Sequence, residues 1–307
     1  MGAHCSEAAA ECVTDRHAVF AWPLGQRRMP RARPTLPRMN PNTIAFIGGG
    51  NMASAVIGGL VRSGRPPGSI LVVEPFEAQR DKLQQQFGVH AQPAADARLR
   101  QAATVVWAVK PQSFADAAAA CTGLLAAALQ LSVMAGIRSD SIVAASGSAR
   151  VVRAMPNTPA LIGQGIAGLY ARTEVDAAAR AEVEALFAPT GQWLWVARED
   201  DLDAVTALSG SGPAYVFYFI EAMMQAGAEM GLPPESARRL AQATFAGSAA
   251  LAMDSPLPPA ELRAQVTSKG GTTHAAITSL DESGVKAAFV RALHAARTRA
   301  QELARGA

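Results

Sequence analysis

The 307 residues, half of them hydrophobic, suffice for two domains with a sizeable core. The formal net charge of +3 lies wholly in residues 1–39, where six arginines face three acids, so the remainder is neutral and a nucleic-acid partner is disfavoured. After residue 39 there is one cysteine and no apolar run near the roughly 18 residues that span a bilayer, so we expect a cytoplasmic protein that binds no metal and no membrane.

Residues 1–40 are interpreted as a disordered extension. Between residues 23 and 42 the chain is rich in proline and arginine and has no hydrophobic periodicity, which leaves this segment little means of packing. Met39 lies four residues before the first predicted strand. One interpretation is therefore that translation starts at Met39 and that the gene start has been placed too far upstream.

The first predicted strand, at residues 43–47, runs straight into the three glycines at 48–50 and a helix. In the pattern GxGxxA, Gly48 allows a tight turn and Gly50 allows a pyrophosphate to approach the backbone. Ala53 allows the helix to pack closely on the strand. The start of that helix would add N–H donors and a positive dipole end for the phosphates. This segment predicts a dinucleotide site.

A second predicted strand, at residues 70–73, ends in Glu74, where a dinucleotide-binding fold places the acid that contacts the ribose. Glu74 can accept hydrogen bonds from both ribose hydroxyls and would repel a 2′-phosphate, which favours NADH slightly over NADPH. Two alternatives stay open. Glu74 is an ordinary exposed acid before Pro75, or Arg80 in the next helix reaches a 2′-phosphate.

Further strand-like runs alternate with helical ones. Residues 104–109 lead into Lys110 and Pro111, where an alanine-rich helix is predicted as far as about Leu129, and residues 131–135 form another strand. This alternation predicts a parallel, doubly wound sheet with ligands at the carboxyl ends of its strands. Lys110 stands at such an end, where it faces a cofactor phosphate or ribose, or is merely solvated.

Residues 151–154 form a strand that ends in the stiff turn MPNTP at 155–159, which is either structural or presents a site. Beyond Asp200 the pattern changes to helices punctuated by proline or glycine. They are predicted at 212–230, 234–253, 259–266, 272–282 and 285–304. Their apolar faces exceed what one small layer of helices can bury, which predicts a homodimer interface.

One of these helices opens with TSKGGTT at residues 267–273. Two glycines at a helix start expose backbone N–H groups beside hydroxyls, an arrangement suited to a carboxylate. The alternative is a capped helix with Thr272 or Thr273 as the N-cap. The run SGSGP at 209–213 opens another helix and is equally open to both interpretations.

Five motifs occur in a fixed order: IGGGNMASAVIGGL, AVKPQ, MPNTPALIGQG, ALSGSGPAYVFYFIEAM and VTSKGGTTHAAI. Together they resemble pyrroline-5-carboxylate reductases over residues 41–307. The resemblance implies an α/β fold with an N-terminal Rossmann dinucleotide-binding domain, residues 41–200, and an all-helical dimerisation and substrate domain, residues 201–307. It implies NADPH- or NADH-dependent reduction of L-1-pyrroline-5-carboxylate to L-proline by a homodimer, in some members a ring of dimers.

The resemblance also assigns site residues. It places the pyrophosphate at Ile47, Gly48, Gly49, Gly50, Asn51 and Met52, the cofactor along Ala108, Val109, Lys110 and Pro111, and the nicotinamide near Val133, Met134, Ala135 and Gly136. It places the substrate carboxylate and ring nitrogen at Ser268, Gly271, Thr272 and Thr273, between one subunit's nicotinamide and helices that include its partner's. The chain departs from the family at Lys269, where proline is usual, and before Thr104, where it lacks an asparagine often used near the adenosine.

A dinucleotide-binding domain followed by helices is also compatible with two other functions. β-Hydroxyacid dehydrogenases share a catalytic lysine followed three residues later by asparagine, and no lysine of this chain has asparagine at that offset. A catalytically silent dinucleotide-binding regulator would keep the same fold. A reductase of a protonated cyclic imine needs no strong acid, which fits a site of hydroxyls and amides whose work is orientation.

Overall fold

One eight-stranded sheet organises the first part of the described chain, residues 40–305 of the computed structural model. Its strands are β1 (Asn40–Ile47), β2 (Ile70–Val73), β3 (Ala91–Gln92), β4 (Ala102–Trp107), β5 (Leu129–Ser132), β6 (Val151–Met155), β7 (Gly165–Ala171) and β8 (Gly191–Trp195). The helices between them are α1 (Asn51–Arg62), α2 (Glu77–Phe87), α3 (Phe114–Ala120), α4 (Ser139–Ser146) and α5 (Ala177–Phe187). The predicted extension before residue 40 lies outside the described residues.

The strands lie in the order β3-β2-β1-β4-β5-β6-β7-β8. Strands β1 to β6 are parallel, which confirms the predicted doubly wound arrangement. Strand β7 returns antiparallel to β6, and β8 pairs parallel with β7. These two strands were not predicted. The chain order reverses between β1 and β4, and such a switch point is where open α/β sheets bind ligands.

Both faces of the sheet are covered by apolar packing. Alternate residues of a strand point to opposite faces, so Phe46 packs into one core and Ala45 into the other. Trp107 of β4 is fully buried and contacts the Phe114 ring edge-on, with 5.3 Å between ring centroids. Its indole N–H donates to Gln130 Oε1 at 2.9 Å. The nearly continuous apolar runs of the central strands follow from this two-sided burial.

The predicted helix from Pro111 to about Leu129 is wrong. Residues 111–113 form a 3₁₀ turn, α3 ends at Ala120, and the chain then turns through Gly123, whose φ is +73°. Leu129 is fully buried in β5, so strand pairing overrides the helix propensity of the alanine run. Strand β5 accordingly begins at Leu129, two residues before the predicted start at residue 131.

The described chain from Asp201 onward is helical. Its helices are α6 (Asp201–Val205), α7 (Gly212–Glu229), α8 (Pro234–Asp254), α9 (Pro259–Gln265), α10 (Thr272–Glu282) and α11 (Val285–Arg305), with a π-helical turn at Thr206–Gly210. The five helices predicted from the sequence are confirmed. No helix among the described residues is long and apolar enough to cross a membrane. The domain boundary at residue 200 stays a prediction.

Helices α7 to α11 bury little of their own surface. Their buried residues within the described chain are Gly227, Ala237, Ala241, Ala300 and Ala304, all of them small. Large apolar side chains remain exposed instead, among them Phe217 at 57% and Met253 at 73%. Apolar surface of this extent indicates an interface with another chain.

Candidate functional site

The parallel strands end side by side at one edge of the sheet. Ile47 pairs in register with Val73 on one side and Trp107 on the other, and Ser132 lies beside Trp107. Three backbone hydrogen bonds extend this ladder by one residue: Gly48 N to Val73 O at 2.9 Å, Ala108 N to Ile47 O at 2.8 Å, and Val133 N to Trp107 O at 3.0 Å. The loops that begin at residues 48, 108 and 133 therefore leave the sheet together.

The three glycines after β1 differ in what surrounds them. Gly48 has a φ of +97°, and a Cβ there would lie 2.8 Å from the carbonyl oxygen of Ala108. A Cβ on Gly49 would lie 2.8 Å from Leu83 Cδ1, whereas one on Gly50 would meet nothing within 4 Å. Backbone packing therefore requires glycine at 48, and at 49 a Cβ would have to displace the end of the buried Leu83 side chain. At Gly50 the backbone faces open space, as the approach of a pyrophosphate requires.

Helix α1 begins next to this open backbone. Gly50 is its N-cap, no side chain caps the helix, and its first turn carries no acid. The N–H groups of Asn51, Met52 and Ala53 precede the first hydrogen bond of the helix, which joins Ser54 N to Gly50 O at 2.8 Å. Uncapped N–H groups and the positive end of the helix dipole suit an anion. The residues present thus fit a dinucleotide phosphate.

Glu74 lies at the end of β2, against the glycine turn. Its side chain is buried, Oε2 accepts a hydrogen bond from Gly49 N at 2.8 Å, and Oε1 accepts one from Phe76 N at 3.0 Å. The alternative of an ordinary exposed acid is therefore wrong. Arg80 Nη1 donates to the carbonyls of Glu74 (3.1 Å) and Pro75 (2.7 Å), so a guanidinium also stands at this strand end. Each carboxylate oxygen keeps a lone pair for a further donor.

The two other loops of this edge hold the remaining cofactor candidates. Lys110 is exposed and is the N-cap of the 3₁₀ turn at Pro111–Ser113. Ala108 and Val109 are half-buried. In the loop after β5, Met134 is buried and its N–H donates to Ser132 Oγ at 3.2 Å.

Gly136 ends the nicotinamide segment predicted at Val133, Met134, Ala135 and Gly136. It has a φ of +77°, and a Cβ there would lie 3.4 Å from Leu303 of α11. The helical part of the chain thus contacts this loop near its end.

A buried ion pair stands beside the same loop and was missed from the sequence. Arg153 of β6 is in register with Ser132, and its Nη1 lies 2.9 Å from Glu199 Oε1, with side-chain exposures of 6% and 9%. Ser139 donates both its N–H (2.7 Å) and its hydroxyl (2.8 Å) to Glu199. An arginine inside an otherwise apolar strand is the one local feature that could have indicated a buried partner.

The surroundings of Glu199 favour the charged form of its carboxyl. Burial alone would raise the pKa of its carboxyl, but the two hydrogen bonds from Ser139 and the pairing with Arg153 lower it below its usual value. The carboxylate lies at the N-terminus of α4, where the helix dipole favours a negative charge. It therefore caps α4 from a distant part of the chain.

The predicted substrate residues lie at the start of α10. Gly271 is the N-cap of this helix and no side chain caps it, so the alternative with Thr272 or Thr273 as the cap is wrong. Gly271 N donates to Ser268 O at 3.0 Å, and a Cβ on Gly271 would lie 2.8 Å from Ser268 Oγ. Thr272 is exposed and Thr273 half-buried. Neither threonine hydroxyl has a hydrogen-bond partner within residues 40–305, which leaves both free for a ligand.

Within one chain these residues are not joined to the cofactor edge. Helix α10 packs on α11, and over the described residues no hydrogen bond or ion pair links residues 268–273 to the loops after β1, β4 and β5. The two groups of candidate residues are thus not bonded to each other within residues 40–305.

The MPNTP turn is held in place by packing and by a side-chain hydrogen bond. Asn157 is buried and its Oδ1 accepts a hydrogen bond from Ile166 N at 3.0 Å, which fixes the start of β7. Met155 packs on the π-helical turn, since a Cβ on Gly210 would lie 2.5 Å from Met155 Cε. An apolar cavity of about 520 Å³ lies next to the turn, lined by Asn157, Pro159 and residues of α7 and α11.

Comparison with known proteins covers both parts of the chain. Residues 199–303 match the family model for pyrroline-5-carboxylate reductase dimerisation, and residues 43–136 match that for coenzyme F420-dependent NADP oxidoreductases. The chain is 44% identical to the pyrroline-5-carboxylate reductase of Pseudomonas aeruginosa over 268 residues, which cover 87% of this chain and 98% of the relative.

Solved structures give the same result. A pyrroline-5-carboxylate reductase from Coxiella burnetii superposes with a TM-score of 0.79 at 37% identity, covering 86% of this chain and 99% of that one. A pyrroline carboxylate reductase from Plasmodium falciparum, solved with NADP bound, has a TM-score of 0.78 at 26% identity and covers 87% and 99%.

Proposed function

This chain belongs to the pyrroline-5-carboxylate reductase family, and we propose that it reduces L-1-pyrroline-5-carboxylate to L-proline with NADH or NADPH. The observation that carries the proposal is the open backbone at Gly50 beside the uncapped start of α1, at the same edge as the loop at residues 133–136. This edge suits a nicotinamide dinucleotide in an extended conformation. When bound, the cofactor supplies the hydride that reduces the C=N bond.

The start of α10 is the proposed substrate site. The N–H groups at its first turn and the free hydroxyls of Thr272 and Thr273 would bind the substrate carboxylate and orient the ring nitrogen. A protonated imine is already electrophilic, so these residues need only to orient it and exclude water. Binding the carboxylate at a fixed point would determine which face of the ring receives the hydride.

We propose that the complete site forms between two subunits of a homodimer. Within the described residues no hydrogen bond or ion pair links the α10 start to the cofactor edge, which supports this arrangement, as does the exposed apolar surface of α7 to α11. The match of residues 199–303 to a dimerisation family supports it further. Assembly of dimers into a ring and a cytoplasmic location stay predictions.

An assay of cofactor oxidation with pyrroline-5-carboxylate tests the function, with both NADH and NADPH. We expect turnover that depends on the imine and yields proline. Cofactor binding without any turnover would contradict the proposal and favour the silent regulator.

We also propose that NADH serves at least as well as NADPH. Two backbone N–H groups fix the Glu74 carboxylate at the end of β2, where it would repel a 2′-phosphate. In Glu74→Gln the charge is lost, and the amide can accept only one of the two backbone N–H bonds, a change that affects both cofactors alike. We therefore expect the ratio of kcat/KM for NADPH to that for NADH to rise about tenfold, since one removed like-charge contact is typically worth about 1 to 2 kcal/mol.

Steady-state kinetics of Glu74→Gln with both cofactors measures this ratio. Glu77→Gln is the matched control, because Glu77 is an exposed acid in the first turn of α2. The ratio of kcat/KM values for the two cofactors should be unchanged in this variant. An unchanged ratio in Glu74→Gln would show that another group, with Arg80 as the first candidate, discriminates between the cofactors.

A further inference from the structure

Both ends of the loop at residues 133–138 are fixed by hydrogen bonds. At its beginning, Met134 N donates to Ser132 Oγ at 3.2 Å. At its end, Arg138 Nη1 donates to Asp200 Oδ1 at 2.8 Å, and Arg138 Nη2 lies 3.6 Å from Glu199 Oε2. The next residue, Ser139, adds its two hydrogen bonds to Glu199. Residues 199 and 200 thus hold the far end of the loop.

Glu199 is itself held in place from the sheet. Arg153 lies on the strand beside β5, in register with Ser132, and pairs with the Glu199 carboxylate at 2.9 Å. Because both side chains are nearly inaccessible, the pair has little freedom to rearrange, and removal of one charge would leave the other buried without a partner. Strand β6, which pairs with the strand before the loop, and helix α4, which follows the loop, are therefore joined through one carboxylate.

We propose that Glu199 is a positioning residue, which holds the loop at residues 133–138 in the conformation that receives the nicotinamide ring. This inference rests on the proposed function, because that function assigns the nicotinamide to residues 133–136. Glu199 acts through Ser139 and Arg138 and does not itself contact the cofactor. It is also the first residue of the region that matches the dimerisation family, so the loop is fixed to the chain where that region begins.

The inference predicts a selective loss of affinity. Glu199→Gln keeps the side-chain shape but loses the charge that holds Arg153, Arg138 and Ser139 together. We expect its Kd for NADH to rise about three- to tenfold, the range typical of one lost hydrogen bond, and its Kd for ADP-ribose, which lacks the nicotinamide, to stay within about twofold. Titration calorimetry of the full chain with each ligand, without substrate, measures both values.

Two further variants make the test specific. Ser139→Ala removes the hydroxyl bond to Glu199, and with it the long bond that Arg172 Nη1 donates to this hydroxyl at 3.3 Å, while the Arg153–Glu199 pair stays intact. It should raise the Kd for NADH by a smaller factor, and it remains informative if Glu199→Gln fails to fold. Asp176→Ala removes the side-chain cap of α5 at Ala179 N, and should lower Tm without changing either Kd.

Equal loss of NADH and ADP-ribose affinity in Glu199→Gln and Ser139→Ala would overturn the inference, because it would indicate a general loosening of the domain. Unchanged affinity for NADH would overturn it as well. Failure of the proposed reaction can be distinguished from failure of this inference. Wild-type protein that binds NADH without turnover would contradict the reaction but not the positioning of the ring.

Discussion

Replacing Gly50 with valine is expected to weaken cofactor binding about a hundredfold or more while the protein keeps its fold. A Cβ at this position meets nothing within 4 Å, and its φ of −65° is open to any L-residue. The added methyl groups would occupy the space that a pyrophosphate needs, and the loss of even one hydrogen bond to a charged phosphate typically costs about 1.5 to 3 kcal/mol. Titration of NADH and of ADP-ribose should show equal losses, since both contain the pyrophosphate.

Two other glycines provide the comparison. Gly68 precedes β2 at the opposite edge of the sheet, and a Cβ there also meets nothing within 4 Å, so Gly68→Val should leave the Kd unchanged. Gly48→Ala should instead unfold or strongly destabilise the domain, because its φ is positive and its new Cβ would contact a backbone carbonyl at 2.8 Å. A wild-type Kd for NADH in Gly50→Val would show that the glycine turn is not part of the cofactor site.

Thr272→Ala and Thr273→Ala are expected to lower kcat/KM for pyrroline-5-carboxylate by about one to two powers of ten each. The physical reason is the loss of a hydrogen bond to a charged substrate group, which typically costs about 1.5 to 3 kcal/mol. Because Gly271 is the N-cap of α10, neither hydroxyl stabilises the helix start, and we expect Tm to change by no more than a few degrees. Steady-state kinetics and thermal unfolding of each variant give both quantities.

Thr278→Ala is the control for the same helix. Thr278 is an exposed residue of α10, six positions beyond Thr272, and its replacement should leave kcat/KM at the wild-type value. If all three variants behave alike, the substrate binds elsewhere and the hydroxyls at the start of α10 have no part in it.

The strand, glycine turn and helix at residues 43–62 could be predicted because local residue types determine them. An apolar run of strand length, small residues at fixed spacing and a helical stretch leave few other structures. Strand β7 could not be predicted in this way. Gly168 lies where Val205 of α6 packs on the strand, and a Cβ there would come within 2.7 Å of Val205 Cγ1. The packing of this strand therefore requires a residue that a sequence pattern associates with turns.

The candidate site shows the same division. The cofactor loops follow strand ends, so their order in the sequence places them at one edge, and motif resemblance supplied the α10 residues. The pair of Arg153 and Glu199 is separated by 46 positions, and no spacing rule connects two residues across a sheet and a helix start. The threonine caps were a wrong alternative because the backbone at Gly271 already begins the helix without a side-chain acceptor.

The small number of buried residues in α7 to α11 has a thermodynamic consequence. A helical layer that buries chiefly alanine and glycine gains little free energy from its own packing, so much of its stability must come from association with a second chain. Folding of this part then follows mass action. Dilution should release subunits whose helices melt at lower temperature, and in a cell the concentration of dimer would be proportional to the square of the free subunit concentration.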